Sequence, residues 1–138
     1  KSYWLPNAQR TLAIRVRMKH GHLDGAIPNE ILEFANFHLK GGTALPKIVS
    51  SHNGQVKFQS KRRIAKAELN FTSDRGKWMD RQWKTIAANL NSKKSIATAD
   101  VPSDATVWFF NLYDDAGNVV SSEHEYRDQD AMNGVSSR

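Results

Sequence analysis

Ala105-Thr106-Val107-Trp108-Phe109-Phe110-Asn111-Leu112-Tyr113, running into Asp114-Asp115-Ala116-Gly117-Asn118, decides the fold class. Val107, Phe109, Asn111 and Tyr113 alternate with Trp108, Phe110 and Leu112, the period of two that sends successive side chains to opposite faces of a strand. The Asp/Gly/Asn cluster behind them is turn chemistry, because these residues accept the backbone angles of a tight reversal. Outward from this point the pattern repeats. Ala65, Ala67, Leu69 and Phe71 alternate, as do Trp83, Thr85 and Ala87. Asn53-Gly54, Asp74-Arg75-Gly76, Asn91-Ser92 and Pro102-Ser103-Asp104 punctuate the runs between them. Strands are expected near 47–51, 54–60, 64–72, 82–89, 93–99, 105–113 and 118–126.

Seven short strands with a turn about every 8–12 residues predict a mainly β fold, an immunoglobulin/fibronectin-like β-sandwich over 44–126. One strand and one α-helix precede it. In residues 11–19, Leu12, Ile14, Val16 and Met18 share one face, and Ala13, Arg15, Arg17 and Lys19 the other. The basic face reads most simply as solvated surface. Residues 20–27 read as a Gly-containing loop. Pro28 suits the first turn of a helix, and Glu30 behind it suits the helix dipole. Ile31, Phe34, Ala35, His38 and Leu39 form an apolar stripe, and Gly41-Gly42 ends the helix in a left-handed cap. The spacing therefore predicts a helix over 28–40 with much of its surface covered. Residues 127–138 are polar and small, and read as a flexible tail.

At 138 residues the chain has room for one complete domain. It is 39% apolar, 25% charged and 9% aromatic, values that suit a folded chain and argue against disorder. Lys and Arg exceed Asp and Glu by 20 to 14, a net +6 that admits acidic partners. Nucleic acid is disfavoured, because no stacking aromatics are interleaved with the basic strand positions. The sequence has no cysteine, which excludes disulfides, thiolate metal sites and thiol catalysis. No run approaches the roughly 18 apolar residues of a membrane span, so no membrane partner is expected. The first residues are Lys1-Ser2-Tyr3-Trp4, without an initiator Met or signal peptide, and read as part of a longer protein. A forty-residue lead cannot enclose its own core. Its apolar faces need the sandwich, a second copy or further sequence.

His20-Gly21-His22 is the most suggestive spot for chemistry, since imidazole titrates near neutrality and the loop lies at a strand-to-helix edge. A general base there needs a nucleophile and an orienting acid. No G-x-S-x-G occurs in the chain. The plainer reading is a pair of surface histidines. A metal site is not expected: the pair lacks further ligands at a known spacing, with His38, His52 and His124 scattered. No cofactor is expected. Trp83 and Trp108 sit in strand patterns and read as core. Trp78 and Trp4 are the candidates for exposed stacking platforms, hence for carbohydrate binding. Lys61-Arg62-Arg63 reads as a solvated basic turn, and Glu123-His124-Glu125 as solvent-facing.

The order of parts resembles a specific assembly. A strand, a His-containing Gly loop, Pro28-Asn29-Glu30-Ile31 and Leu39-Lys40-Gly41-Gly42-Thr43-Ala44-Leu45-Pro46 together look like the end of an α/β-hydrolase domain. The resemblance is closest to the bacterial, usually exported acetyl-xylan-esterase, dienelactone-hydrolase and prolyl-oligopeptidase-like group. Some members continue into an immunoglobulin-like domain, whose resembling features here are Lys66-Ala67-Glu68-Leu69 through Thr72-Ser73-Asp74, Trp78, Arg81-Gln82-Trp83 and Ser122-Glu123-His124-Glu125. In that fold the triad runs Ser, then acid, then His. The resemblance implies that residues 1–43 are the last strand, His loop and last helix of an incomplete hydrolase domain. It puts the triad His at His20 or His22, which the pattern does not separate, and the Ser and acid upstream. The chain alone would then be a non-catalytic accessory region, secreted or periplasmic, partnered by the upstream hydrolase domain absent from it. The one-sided strand at 11–19 departs from the pattern of such a domain, whose interior strands are apolar on both faces, unless it stands at the sheet edge. The competing expectation is a free-standing sandwich that binds polysaccharide or a protein partner, a second copy of itself included.

Overall fold

The computed structural model describes residues 10–18, 21, 23–25 and 28–127. Among the described residues one helix, α1 (Asn29–Lys40), precedes eight strands: β1 (Lys47–His52), β2 (Gln55–Gln59), β3 (Ile64–Thr72), β4 (Lys84–Asn91), β5 (Ile96–Thr98), β6 (Val107–Asp114), β7 (Val119–Ser121) and β8 (Glu125–Tyr126). A 3₁₀ turn at Trp78–Asp80 lies between β3 and β4. The strand pairs are antiparallel, in the order β1-β2-β5-β4-β3-β6-β7, with β8 also on β6. Strand β4 changes partner midway, pairing with β3 through 84–88 and with β5 through 89–91. The edge strands β1 and β7 come together. The sheet is thus nearly closed, like a barrel.

The alternation read around Val107 is the one that builds the core. Trp108, Phe110 and Leu112 point inward to Ala67, Leu69 and Phe71 of β3, Val56 and Phe58 of β2, and Ala97 of β5. The bulge between Ile64 and Lys66 shifts the phase of β3, so Ile64 is buried while Ala65 is exposed. At the β1–β2 turn Asn53 and Gly54 have φ of 48° and 76°, the primed geometry that matches strand twist. A Cβ on Gly54 would strike the carbonyl oxygen of Ala99, so the turn needs glycine there.

Several expectations are corrected. Residues 10–18 contain no strand. Leu12 accepts one backbone bond, from Ser121 N–H at 2.8 Å. The next contacts come from side chains: Ile14 N–H donates to Ser121 Oγ at 2.7 Å, and Asn111 Nδ2 donates to Ile14 O at 3.0 Å. Side chains replace the ladder, and Arg17, at φ 63°, turns the segment away. The last expected strand is two, because Ser122 breaks it. Its Oγ accepts from Phe110 N–H at 2.9 Å, where a ladder carbonyl would otherwise sit. Arg127, placed in the tail by sequence, is tied down: its N–H reaches Thr106 O and its Nε reaches Ala105 O at 2.7 Å.

Helix α1 begins at Asn29 and ends where expected, with Gly41 left-handed at φ 72° and donating to Phe37 O. Its orientation is the surprise. Glu30 is its one fully buried residue, while Ile31, Leu32 and Leu39 are 52%, 58% and 82% exposed. Asn29, Glu30 and Glu33 share the face that meets the sheet, and Ile31, Ala35 and Leu39 recur at i, i+4 and i+8 on the far side.

Candidate functional site

The polar dock of α1 is built from the turn after β6. Asp114 Oδ1 accepts from Ala116 and Asn118 N–H, and Asp114 Oδ2 from Asn118 Nδ2 at 2.7 Å. Asn118 Oδ1 in turn accepts from Asn29 Nδ2 at 2.9 Å. Arg62 bridges the rest: Nη1 reaches Asp114 Oδ2 at 3.3 Å, Nη2 reaches Glu33 Oε2 and Thr43 O at 2.5 Å, and Nε reaches Ala44 O at 3.1 Å. The expected solvated basic turn is therefore half a mistake. Lys61 and Arg63 are exposed, but Arg62 is a structural clamp.

Arg15 grips Glu30 bidentately, Nε to Oε1 and Nη2 to Oε2, both 2.8 Å. Burial alone would raise the Glu30 carboxyl. The guanidinium, with backbone N–H donors at Glu30 itself and Val119, outweighs that and holds it below the usual carboxylate range. Arg15, expected on a solvated face, thus fastens the N-terminal segment to α1.

The outer face of the sheet carries a groove of about 380 Å³. The register explains its lining. On β3, Lys66, Glu68 and Asn70 project outward at every second residue. Lys66 sits opposite Tyr113, Glu68 opposite Asn111, and Asn70 between Phe109 and Thr85. Arg15, Val16 and Arg17 form the wall. Arg17 Nη2 donates across to Trp83 O at 3.0 Å, so the segment lies over the sheet as a strap. Within the groove Lys66 Nζ pairs with Glu68 Oε1 at 2.8 Å and lies 4.1 Å from the Tyr113 ring centroid. Burial, then a hydrogen bond to Glu68, raises the Tyr113 phenol. Burial would raise Glu68 too, but Lys66 and Tyr113 outweigh it and its carboxyl is lowered.

Asn70 is the anomaly in this lining. It is 1% exposed, and its Oδ1 accepts from Thr85 Oγ1 at 2.7 Å. Its Nδ2 has no partner. A buried unpaired amide donor costs about 1–3 kcal/mol, so it marks a place where an acceptor belongs.

Beyond Asn70 the same face turns aromatic. Trp83 packs on Phe109 at 5.3 Å, and His124 on Phe109 at 5.0 Å and on Trp78 at 5.0 Å. The break between β7 and β8 is what carries His124 here, against the expectation that it faces solvent. Burial lowers its imidazole below the usual value. Glu125 likewise turns inward, accepting from Ser51 Oγ at 2.5 Å and from Asn53 N–H at 2.9 Å. Trp108 lies in the core as expected. Trp83 lies instead on the outer face, just before β4.

Of the residues singled out from sequence, Trp78 is 46% exposed. Arg81 lies over its ring at 4.8 Å, and Trp83 and His124 meet it edge-on. Trp4, His20 and His22 lie outside the described residues. Among the described residues no three His, Asp or Glu side chains gather in a way that would hold a metal ion. No described helix is long and apolar enough to cross a membrane. The sequence carries one signal of the groove, Asn70 between Leu69 and Phe71, an amide inside an apolar run. No protein-family model, curated protein or solved structure matches the chain.

Proposed function

We propose that this chain is the non-catalytic C-terminal region of an esterase-type α/β-hydrolase, giving it its closing helix and an accessory β-sandwich. The observation that carries the reading is the reversed polarity of α1. Its charged face is bonded to Arg15 of the N-terminal segment and Arg62 of the β2–β3 loop, and Ile31, Leu32 and Leu39 point away, 52%, 58% and 82% exposed. A helix lying between two bodies has this character. Covering what remains exposed of those side chains would contribute about 1–2 kcal/mol each, enough to help seat the helix on the rest of a hydrolase domain. The strand order supports an immunoglobulin-like sandwich, with β1-β2-β5 as one sheet, β3-β6-β7 as the other, and β4 shared between them. An exported location, secreted or periplasmic, goes with this family reading.

In the parent enzyme His20 or His22 takes the proton of a serine hydroxyl and returns it to the leaving group of an ester. The chain's described residues would serve by fixing the helix that follows that loop. The test uses the parent protein carrying the sequence upstream of Lys1. Turnover of small acetyl and aryl esters should collapse in His20→Ala or His22→Ala, and amides of α1 should be better protected from hydrogen exchange than in the 138-residue chain. Full turnover in both variants and in their double mutant would refute the reading.

A further inference from the structure

We infer that the groove beneath the 15–17 strap is a binding site for a sugar acid, a hydroxylated ring bearing one carboxylate. Three observations converge on it. The first is Asn70, which lines the groove, is 1% exposed and leaves its Nδ2 without a partner. The second is charge. Arg15 is neutralised by Glu30 and Lys66 by Glu68, but among the described residues no carboxylate pairs with Arg17, whose described partner is the Trp83 carbonyl. The groove therefore keeps one surplus positive charge, which a monocarboxylate balances. The third is the remaining lining. Thr85, Asn111, Tyr113 and the ionised Glu68 present hydroxyl, amide and carboxylate groups, the mixture that hydroxyls on a ring both donate to and accept from. Glu68 disfavours a dianion such as phosphate. About 380 Å³ falls within the usual small-ligand range of roughly 300–1,000 Å³.

In this arrangement the ligand carboxylate faces Arg17, Asn70 donates to a ring or carboxylate oxygen, and Glu68 accepts from a ring hydroxyl. The strap is itself part of the site, so ligand binding and the seating of residues 15–17 reinforce one another. The inference is independent of the hydrolase reading, since it concerns the outer sheet face and not α1 or the His loop.

Calorimetric and NMR titration of the 138-residue chain with galacturonate and its short oligomers tests it, with galactose, acetate and inorganic phosphate as comparators. Saturable binding of the uronate is expected, with shifts at Asn70, Thr85 and Arg17. Arg17→Gln and Asn70→Asp should each weaken it about tenfold or more, the loss of one charge-assisted hydrogen bond. Asn70→Asp keeps an acceptor for Thr85 Oγ1 but buries a carboxylate, so a thermal melt checks its fold, and Arg17→Gln, at an exposed side chain, carries the test if that variant unfolds. Lack of saturable uronate binding, equal binding of galactose or acetate, or affinity unchanged in both variants overturns the proposal.

Discussion

Arg62 shows how much one side chain can organise here. Its side chain is 13% exposed and that of Asp114 is fully buried, so their pair operates where water screens little. Arg62→Met leaves the Asp114 carboxylate without its cation and should cost about 3 kcal/mol, read as a lowered denaturation midpoint at unchanged slope. Arg62→Lys should recover only part of this, since an ammonium cannot span Ala44, Thr43, Glu33 and Asp114 together. At His124 the consequence depends on pH. Burial lowers its folded-state value from 6.5, so the unfolded chain takes up a proton first as pH falls. Stability due to this group is intact above about 6.5 and declines below it, toward the depressed folded value. Glu30 and Glu68 act in a lower window: their pKa values are lowered from 4.5, so their contribution is lost only as pH falls past that. Melts between pH 7 and 5 should therefore fall for the wild type and stay nearly level for His124→Phe. Parallel declines in both would show that another group is responsible.

Among the elements, α1 carries the sharpest expectation. Ile31→Glu with Leu39→Glu should change the stability of the 138-residue chain by no more than about 0.5 kcal/mol, since both side chains are exposed. Glu30→Ala should cost several times more, because it strands Arg15 and the Val119 N–H. Chemical denaturation of the two variants decides the ranking. The existence and limits of this helix were legible, as were most of the strands, because period and punctuation are local properties. Its facing was not. An apolar stripe is ordinarily the docking side, and here the partners of Asn29, Glu30 and Glu33 lie far along the chain, at Asn118, Arg15 and Arg62. Residues 11–18 misled for a related reason. Their alternation is real, with Leu12, Ile14 and Val16 half-buried and Ala13, Arg15 and Arg17 exposed, but Ile14 is held by side chains, its N–H donating to Ser121 Oγ and its carbonyl accepting from Asn111 Nδ2. No ladder exists for a sequence pattern to announce. Of the groove only the amide of Asn70 inside an apolar run was legible, since its shape depends on the register that sets Asn70 beside Thr85 and Phe109.

For the whole molecule, one core joins both halves of the sheet. Phe110, fully buried between β3 and β7, anchors it, and Phe110→Ala should cost about 3–5 kcal/mol. Because β4 belongs to both halves, far-UV circular dichroism and tryptophan fluorescence should report the same transition, although Trp108 lies inside the core and Trp78 and Trp83 outside it. Separate midpoints would mean that the outer aromatic layer melts on its own.

The near-closure of the sheet also bears on how the molecule behaves in a crowd. An open antiparallel edge is a template for a foreign strand, and β1 and β7 are this sheet's two ends. They shield one another, and residues 12–14 lie along β7 with the Ser121 N–H already taken by Leu12. The segment that leads into the strap therefore also covers part of the β7 edge. Cutting it near the Arg17 turn removes no core side chain, yet it bares hydrogen-bonding groups that invite other copies to add on. Solubility over time, more than melting temperature, is where such a nick should first be felt.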